Sequence, residues 1–449
     1  MNLTDISKFR LINQQIVTSK FKTAKGIVGW MGALQAMEKN MLKRSLIIVV
    51  LCLFAISTVK SQSKKTVNPD SKRDTFFPLM AWDYVNDEKT LKDMQECGIN
   101  LIAFVPAFLL DACHKHNIKA IVFDERITGA FDAPFDSKKA NKNLPDLIKK
   151  VNKHPAVYGY HLKDEPGPDQ FLELSKSVAL LKDLAPGKWP YINLLPTQSY
   201  GEAYDSYLEQ FATVCNPTAF SYDNYSQDYA INGGVKSLFW KNLVQVREAS
   251  LKHGLPFWNI ILTAAHFSYP ELTISDLRLQ MYGSLVYGAK GLSFYKFISA
   301  SLPILDAPDL GNFRMAPLDQ FGERTSTWDI LRNINRQIQN IGPTLLKLRS
   351  DDVYHIGVIP EKHHGASDKT LVKDVPGGEF IVGDFTHEDG SKYVMIVNKS
   401  ITTSFPCNPI FNILPKKLQV VSSWNGKLKK YPTPWYWLAP GQGVLLRIE

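Results

Sequence analysis

Two adjacent carboxylates, Asp164 and Glu165, stand where the apolar, aromatic-rich run Val157-Tyr-Gly-Tyr-His-Leu-Lys163 ends and Pro166-Gly167 stops further strand pairing. Like charges held side by side raise each other's proton affinity, which suits such a pair to general acid and base work near neutral pH. The structural alternative is that Glu165 opens the next helix, where a carboxylate favours the macrodipole. Similar residue types recur at the ends of other apolar runs: Trp82-Asp83-Tyr84, Asp124-Glu-Arg126, Tyr222-Asp223-Asn224-Tyr225, His266 and Tyr295-Lys296. Together they make a rim of acceptors and flat aromatic rings. Sugar hydroxyls need the first, and the C–H faces of pyranose rings stack on the second.

Other chemistries find less support. No glycine-rich phosphate loop of the Walker A or G-x-G-x-x-G kind occurs, and no G-x-S-x-G elbow marks a serine nucleophile. His114-Lys-His116 and His363-His364 have no third ligand at metal spacing, and Cys97, Cys113, Cys215 and Cys407 form no Cys-x-x-Cys pair, so neither metal nor cofactor is expected. The net charge of +9 is misleading as a sign of nucleic-acid binding. Residues 1–74 hold 13 Lys+Arg against 4 Asp+Glu, which leaves 39 against 39 in the rest of the chain.

The elements that would position the rim follow from periodicity. Strand candidates are Phe77–Tyr84, Ile99–Val105, Ile118–Asp124, Val157–Lys163, Trp189–Leu195, Ala219–Tyr225, Pro256–Thr263 and Gly291–Phe297. Helical patterns separate them, at Asp87–Cys97, Ala107–His116, Leu144–Asn152, Asp169–Leu184, Tyr207–Val214, Lys236–Lys252, Ile274–Tyr287 and Trp328–Leu348. Eight strand–helix alternations predict a (β/α)8 TIM barrel over residues 76–348, whose binding face lies at the C-terminal ends of its strands. Gly98, Gly254 and Gly288 each follow a helical run and precede a strand, as C′ glycines of the short bottom loops do. Beyond Leu348 the runs are short, alternating and broken by turn signals such as Asp389-Gly390 and Asn425-Gly426, which predicts an all-β sandwich over 349–449. Its Trp435-Tyr-Trp437 cluster fits an aromatic core or domain interface better than a sugar grip.

Ahead of the barrel, Met41-Leu-Lys-Arg44 and the apolar run Ser45–Ser57 have the proportions of a secretory signal and are short for a bilayer span. Residues 1–62 therefore read as an N-terminal extension and signal peptide, with the signal at about 41–62. Residues 63–75 read as a polar linker. The expectation is an exported protein, in the periplasm, on the cell surface or outside the cell, with no stable membrane span after cleavage.

The Glu165-Pro166 strand end, the run Ser221-Tyr-Asp-Asn-Tyr225, and the stretches Leu277-Arg-Leu-Gln280 and Tyr287-Gly-Ala-Lys-Gly-Leu-Ser-Phe-Tyr295 resemble barrels of glycoside hydrolase clan A, nearest to the family 42 β-galactosidases and their exported bacterial relatives. The resemblance covers the barrel. It implies glycoside hydrolysis, with Glu165 as general acid/base and Asp164 in the place of the Asn that usually precedes it. It also implies a nucleophilic Glu at the end of the seventh strand, where this chain reads Thr263-Ala-Ala-His266 and has no carboxylate. Three alternatives follow. Another rim carboxylate serves as the second group, Asp223 ahead of Asp83 and Asp124. Or the Asp164-Glu165 pair works with a substrate 2-acetamido group, as in family 20 hexosaminidases. Or the barrel binds carbohydrate without cleaving it. Trp82, Asp83, Asp124, Tyr222, Asn224, Tyr225, His266, Tyr295 and Lys296 are the expected substrate contacts.

Overall fold

The computed structural model describes residues 75–85, 87–129, 133–225, 237–267, 269–299 and 312–449. The leader expected at 1–62 and nearly all of the linker at 63–75 lie outside the described residues. Among the described residues no helix is long and apolar enough to cross a membrane.

Eight parallel strands close into a barrel in chain order: β1 (Leu79–Tyr84), β2 (Leu101–Val105), β3 (Lys119–Val122), β4 (Val157–Asp164), β5 (Trp189–Leu194), β6 (Phe220–Asp223), β7 (Phe257–Leu262) and β8 (Gly291–Tyr295), with β8 pairing back to β1. The helices between and after them are α1 (Glu88–Glu96), α2 (Leu110–Lys115), a single turn α3 (Glu125–Thr128), α4 (Ser137–Val151), α5 (Phe171–Leu184), α6 (Tyr204–Gln210), α7 (Ser237–His253), α8 (Ile274–Val286) and α9 (Ser326–Leu346). Alternation along the strands sorts their side chains. Met80, Leu101, Ala103, Ile121, Tyr158, Tyr191, Trp258 and Ile260 fill the interior. Leu79, Ala81, Ile102, Tyr160, Leu162 and Ile261 face the helices. Each large side chain removed from water in these layers contributes roughly 1.5–3 kcal/mol. Gly98, Gly254 and Gly288 all have positive φ, so the bottom loops turn at the residues expected.

One helix begins earlier than its pattern indicates. α4 starts at Ser137 rather than Leu144, because Asp136 caps it by accepting from Lys138 N and Lys139 N. In the opposite sense, β3 stops at Val122, two residues short of Asp124.

The C-terminal region is antiparallel. Its strands are β9 (Leu348–Ile356), β10 (Val372–Asp374), β11 (Phe380–His387), β12 (Lys392–Asn398), β13 (Phe405–Pro406), β14 (Ile410–Phe411), β15 (Leu418–Val421), β16 (Leu428–Lys430), β17 (Trp437–Leu438) and β18 (Gly443–Ile448). Six of them form one sheet in the order β16-β15-β18-β12-β11-β9, and two short pairs, β10-β14 and β13-β17, complete a sandwich. Period-2 alternation gives the six-stranded sheet two buried faces. Phe380, Val382, Val394 and Ile396 pack under the short pairs, while Ile381, Phe385, Tyr393 and Met395 join the barrel's core. Glycine is needed where that sheet meets α8, since a Cβ on Gly383 would lie 2.4 Å from Val286 O. Near β17 the alternation runs the other way from expectation for two of three aromatics. Trp435 and Trp437 face outward, and only Tyr436 turns in to pack on Tyr431.

Candidate active site

At the C-terminal mouth of the barrel a cavity of about 420 Å³ is floored by strand interiors and walled by aromatic rings. Asp164 and Glu165 both reach it. Consecutive strand residues normally point to opposite faces, but Glu165 adopts φ +48°, in the left-handed region, and this turn swings its side chain to the same side as that of Asp164. The turn is held because Glu165 N donates to Asn193 O at 2.9 Å, continuing the β4–β5 ladder past the strand's end. Strain at a bulky residue of this kind concentrates at functional positions.

Asp223, the last residue of β6, completes a trio of carboxylates. Its carboxyl lines the same cavity as that of Glu165, whose charge raises its proton affinity. Asn193 on β5 joins the trio by donating from Nδ2 to Asp164 Oδ1 and to Asp223 Oδ1, at 3.1 Å each. Three carboxyl groups crowded together and largely withdrawn from solvent cannot all ionise readily. Burial first, and then the charge of Glu165, push Asp164 up to about 7. Burial holds Glu165 above its ordinary value, opposed by the neighbouring Asp223 carboxyl. Asp223 is held well above its ordinary value by burial, and then by the charges of Glu165 and Asp164.

Around the trio, Tyr225 and Tyr295 stack at 5.9 Å between ring centroids, and His266 packs on Phe313 at 4.9 Å. His266 Nδ1 donates to Ala264 O at 3.0 Å, and burial lowers its affinity for a second proton. Asp83 accepts from Tyr84 N at 2.9 Å and Ile298 N at 2.8 Å, with Lys296 Nζ 4.0 Å away, so it ties β1 to the loop after β8. Trp82 lies against Phe104 and Tyr191 on the opposite wall.

Of the residues expected from sequence, the structure brings Asp164, Glu165, Asp223, Trp82, Asp83, Tyr225, His266, Tyr295 and Lys296 to this cavity. It places three elsewhere. Asp124 caps α3, accepting from Arg126 N at 2.9 Å and from its guanidinium, which holds Asp124 below the usual carboxylate range; it lines a different depression beside Asp146 and Lys150. Tyr222 points out of the barrel into the layer beneath the helices and is fully buried. Asn224 is tied behind the cavity to Asn242 Oδ1 at 2.7 Å and to Gln198. Tyr222 and Asn224 alternate with Asp223 and Tyr225, so a period-2 reading of β6 separates the two pairs.

Tyr84, named with Trp82 and Asp83 at the first strand end, lines the cavity too, and so do residues that the strand-end reading passes over: Phe104, Phe123, His161, Lys163 and Asn193. For three of these a signal exists. His161 and Lys163 are polar residues in the apolar run that leads to Asp164-Glu165, and Asn193 is a polar residue inside an otherwise apolar strand. Burial and then the nearby Lys163 push His161 down to about 3, so its imidazole is neutral. Among the described residues no group of three His, Cys, Asp or Glu is arranged to hold a metal ion. Four of the five cysteines, Cys97, Cys113, Cys215 and Cys407, lie among the described residues and are free and buried.

No protein-family model matches the chain, and no curated protein sequence is detectably similar to it. Solved structures are similar in fold. A glycoside hydrolase of family 5 from Bacteroides vulgatus superposes with a TM-score of 0.52 at 12% identity, over 83% of this chain and 90% of that one. A β-galactosidase from Marinomonas ef1 gives 0.46 at 10% identity, over 60% of this chain and 62% of that one. A family 5 subfamily 18 glycoside hydrolase from Bifidobacterium longum, in complex with Manβ1-4GlcNAc, gives 0.46 at 12% identity, over 58% and 78%. The chain thus spans less than two thirds of the Marinomonas enzyme. Together with the closed eight-stranded barrel, the match to the Bacteroides vulgatus structure supports a (β/α)8 barrel fold for this chain.

Proposed function

We propose that the protein is an exported glycoside hydrolase in which Glu165 is the general acid/base and Asp223 the second carboxylate. The observation that carries this reading is that both carboxyls line one aromatic-walled cavity at the mouth of the barrel, close enough for Glu165 to shift the proton affinity of Asp223. A protonated Glu165 delivers its proton to the glycosidic oxygen as the bond to the anomeric carbon breaks. Asp223 attacks that carbon from the other face. Glu165, now ionised, then draws a proton from the water that releases the sugar. Close placement of the two carboxyls suits the spacing of about 5 Å used by retaining enzymes better than the wider gap, with room for a water, of inverting ones, so retention of configuration is expected. Tyr225, Tyr295 and Trp82 supply the ring faces, and the leader at 41–62 supports export.

The absence of a carboxylate at the end of β7 favours a second reading, carbohydrate binding without cleavage. One experiment separates the two. The wild type and the E165Q and D223N variants are incubated with aryl galactosides, mannosides and N-acetylhexosaminides of graded leaving-group ability. Hydrolysis by the wild type, with E165Q slower by roughly 10²–10⁴-fold on the poorest leaving groups and much less on the best, supports Glu165 as the acid. Binding of glycans with no release of aglycone by the wild type supports the second reading. Equal turnover by wild type and E165Q rejects the assignment.

A further inference from the structure

Asn193 occupies an unusual place in the cavity, because one amide nitrogen serves two carboxylates from different strands. Both of its N–H groups are committed, one to Asp164 at the end of β4 and one to Asp223 at the end of β6. The amide cannot flip without losing both. Its Oδ1 accepts from Ser221 Oγ at 3.1 Å, and Ser221 Oγ lies 2.5 Å from Tyr191 OH. With the single Ser221 hydroxyl hydrogen directed to Asn193, Tyr191 must donate to Ser221, and the chain of hydrogen bonds has one direction: Tyr191 to Ser221 to Asn193 to the two carboxylates. Asn193, Ser221 and Tyr191 are all buried. Burial also holds the Tyr191 phenol far above its ordinary value, so the first donor in the chain keeps its hydrogen at any working pH.

We propose that Asn193 is the positioning residue of this site, which fixes Asp164 and Asp223 in one orientation toward Glu165 and stabilises their ionised forms. The alternative, that Asn193 only fills space between strands, leaves the directed donor chain without a consequence. Other charged and titratable groups also face the trio: Tyr84 from β1, Lys163 from β4, Tyr204 from α6, Tyr225 beyond β6, and Tyr295 from β8, with Asp83, His266 and Lys296 on the rim. Tyr84, Tyr204, Tyr225 and Tyr295 are each held above the ordinary phenol value by burial, so they add no charge near neutrality. Lys163 is the cation whose field favours ionised Asp164 alongside the amide. The bridge itself is independent of the glycosidase reading, whereas its effect on turnover rests on that reading.

The test uses the folded protein with [γ-13C]Asp labelling. Carboxyl resonances are assigned by comparison with D164N and D223N, and the titrations are followed by NMR in the wild type, N193L and S221A. Losing a donor to an ionised carboxylate should move the Asp164 and Asp223 midpoints upward by about one unit or more in N193L. In S221A, where the amide remains but is no longer oriented, they should move in the same direction by less. If the aryl glycoside assay gives turnover, the acid limb of the kcat–pH profile should shift upward with them while KM changes by less than about 2-fold. S221A keeps the test decisive if N193L does not fold. Unmoved carboxyl midpoints in the folded variants would overturn the proposal. A failure of turnover in the wild type would count against the glycosidase reading alone, because the NMR titration requires no substrate.

Discussion

The barrel has a cavity at each end, and the two are similar in size but opposite in character. The one at the C-terminal mouth, about 420 Å³, holds Asp83, Asp164, Glu165 and Asp223 against Lys163 and Lys296. The one at the N-terminal mouth, about 490 Å³, is lined by Tyr158, Trp189, Leu255 and Trp258 and by the cations Arg247, Lys290, Lys347 and Arg349. In the lower cavity several polar groups serve the fold. Lys290 Nζ donates to Leu345 O at 2.6 Å and to Leu348 O, Arg247 Nε donates to Ser350 Oγ at 2.8 Å, and Trp189 stacks on Trp258 at 4.6 Å. In the upper cavity three carboxyl groups are held together despite the cost of burying them. Volume therefore does not distinguish the two ends; the crowding of buried carboxyls does, in keeping with the division between a stabilising bottom and a functional top in barrels of this fold.

Substitutions at the two ends should sharpen that contrast. The largest effect is expected from D223N, which should lower kcat on aryl glycosides by roughly 10³-fold or more while leaving the thermal transition equal to or above that of the wild type, because it relieves the crowding of three buried carboxyls. Steady-state kinetics and calorimetry on the same preparation check both halves. K290M should do the reverse. The carbonyls at the end of α9 and the start of β9 lose their donor, so stability should fall by about 2–4 kcal/mol in urea unfolding, with kcat per folded molecule unchanged. A K290M protein that keeps its stability but loses activity would dissolve the distinction between the two ends.

The next prediction concerns pH. The Asp164 carboxyl is raised from 3.8 to about 7 in the folded protein, so the folded state holds a proton that the unfolded chain releases. The stability this group contributes is complete below the unfolded value and is lost as pH rises through about 7. The melting temperature of the wild type should therefore fall more steeply than that of D164N between about pH 4 and 8. Parallel curves would mean that the top of the barrel is no more strained electrostatically than the bottom. The smallest effect is expected at the outward-facing Trp435, where W435A should change stability by no more than about 0.5 kcal/mol.

Much of the architecture was legible because barrels repeat themselves. Eight apolar runs with helical spacers, glycines at Gly98, Gly254 and Gly288, and the tandem Asp164-Glu165 at a strand's end are local patterns with local causes. What escaped reading depends on the third dimension. Asp124 looks like a rim carboxylate until the chain turns into α3 and the carboxyl is claimed by Arg126. Asn193 is unremarkable within its strand, and its significance comes from the neighbours that closure of the barrel gives it on β4 and β6. The outward display of Trp435 and Trp437 depends on which face of β17 the sandwich buries, and two tryptophans flanking a tyrosine do not specify that face.

The most direct test of the pairing of Glu165 with Asp223 is covalent. The wild-type protein would be incubated with the 2-deoxy-2-fluoro glycosyl fluoride of whichever sugar the aryl glycoside panel selects, then digested and mapped by mass spectrometry. A single added sugar on the peptide carrying Asp223, absent from D223N, is the predicted result. A sugar attached to Asp83 or Glu165, or rapid turnover with no labelled peptide, would contradict the account.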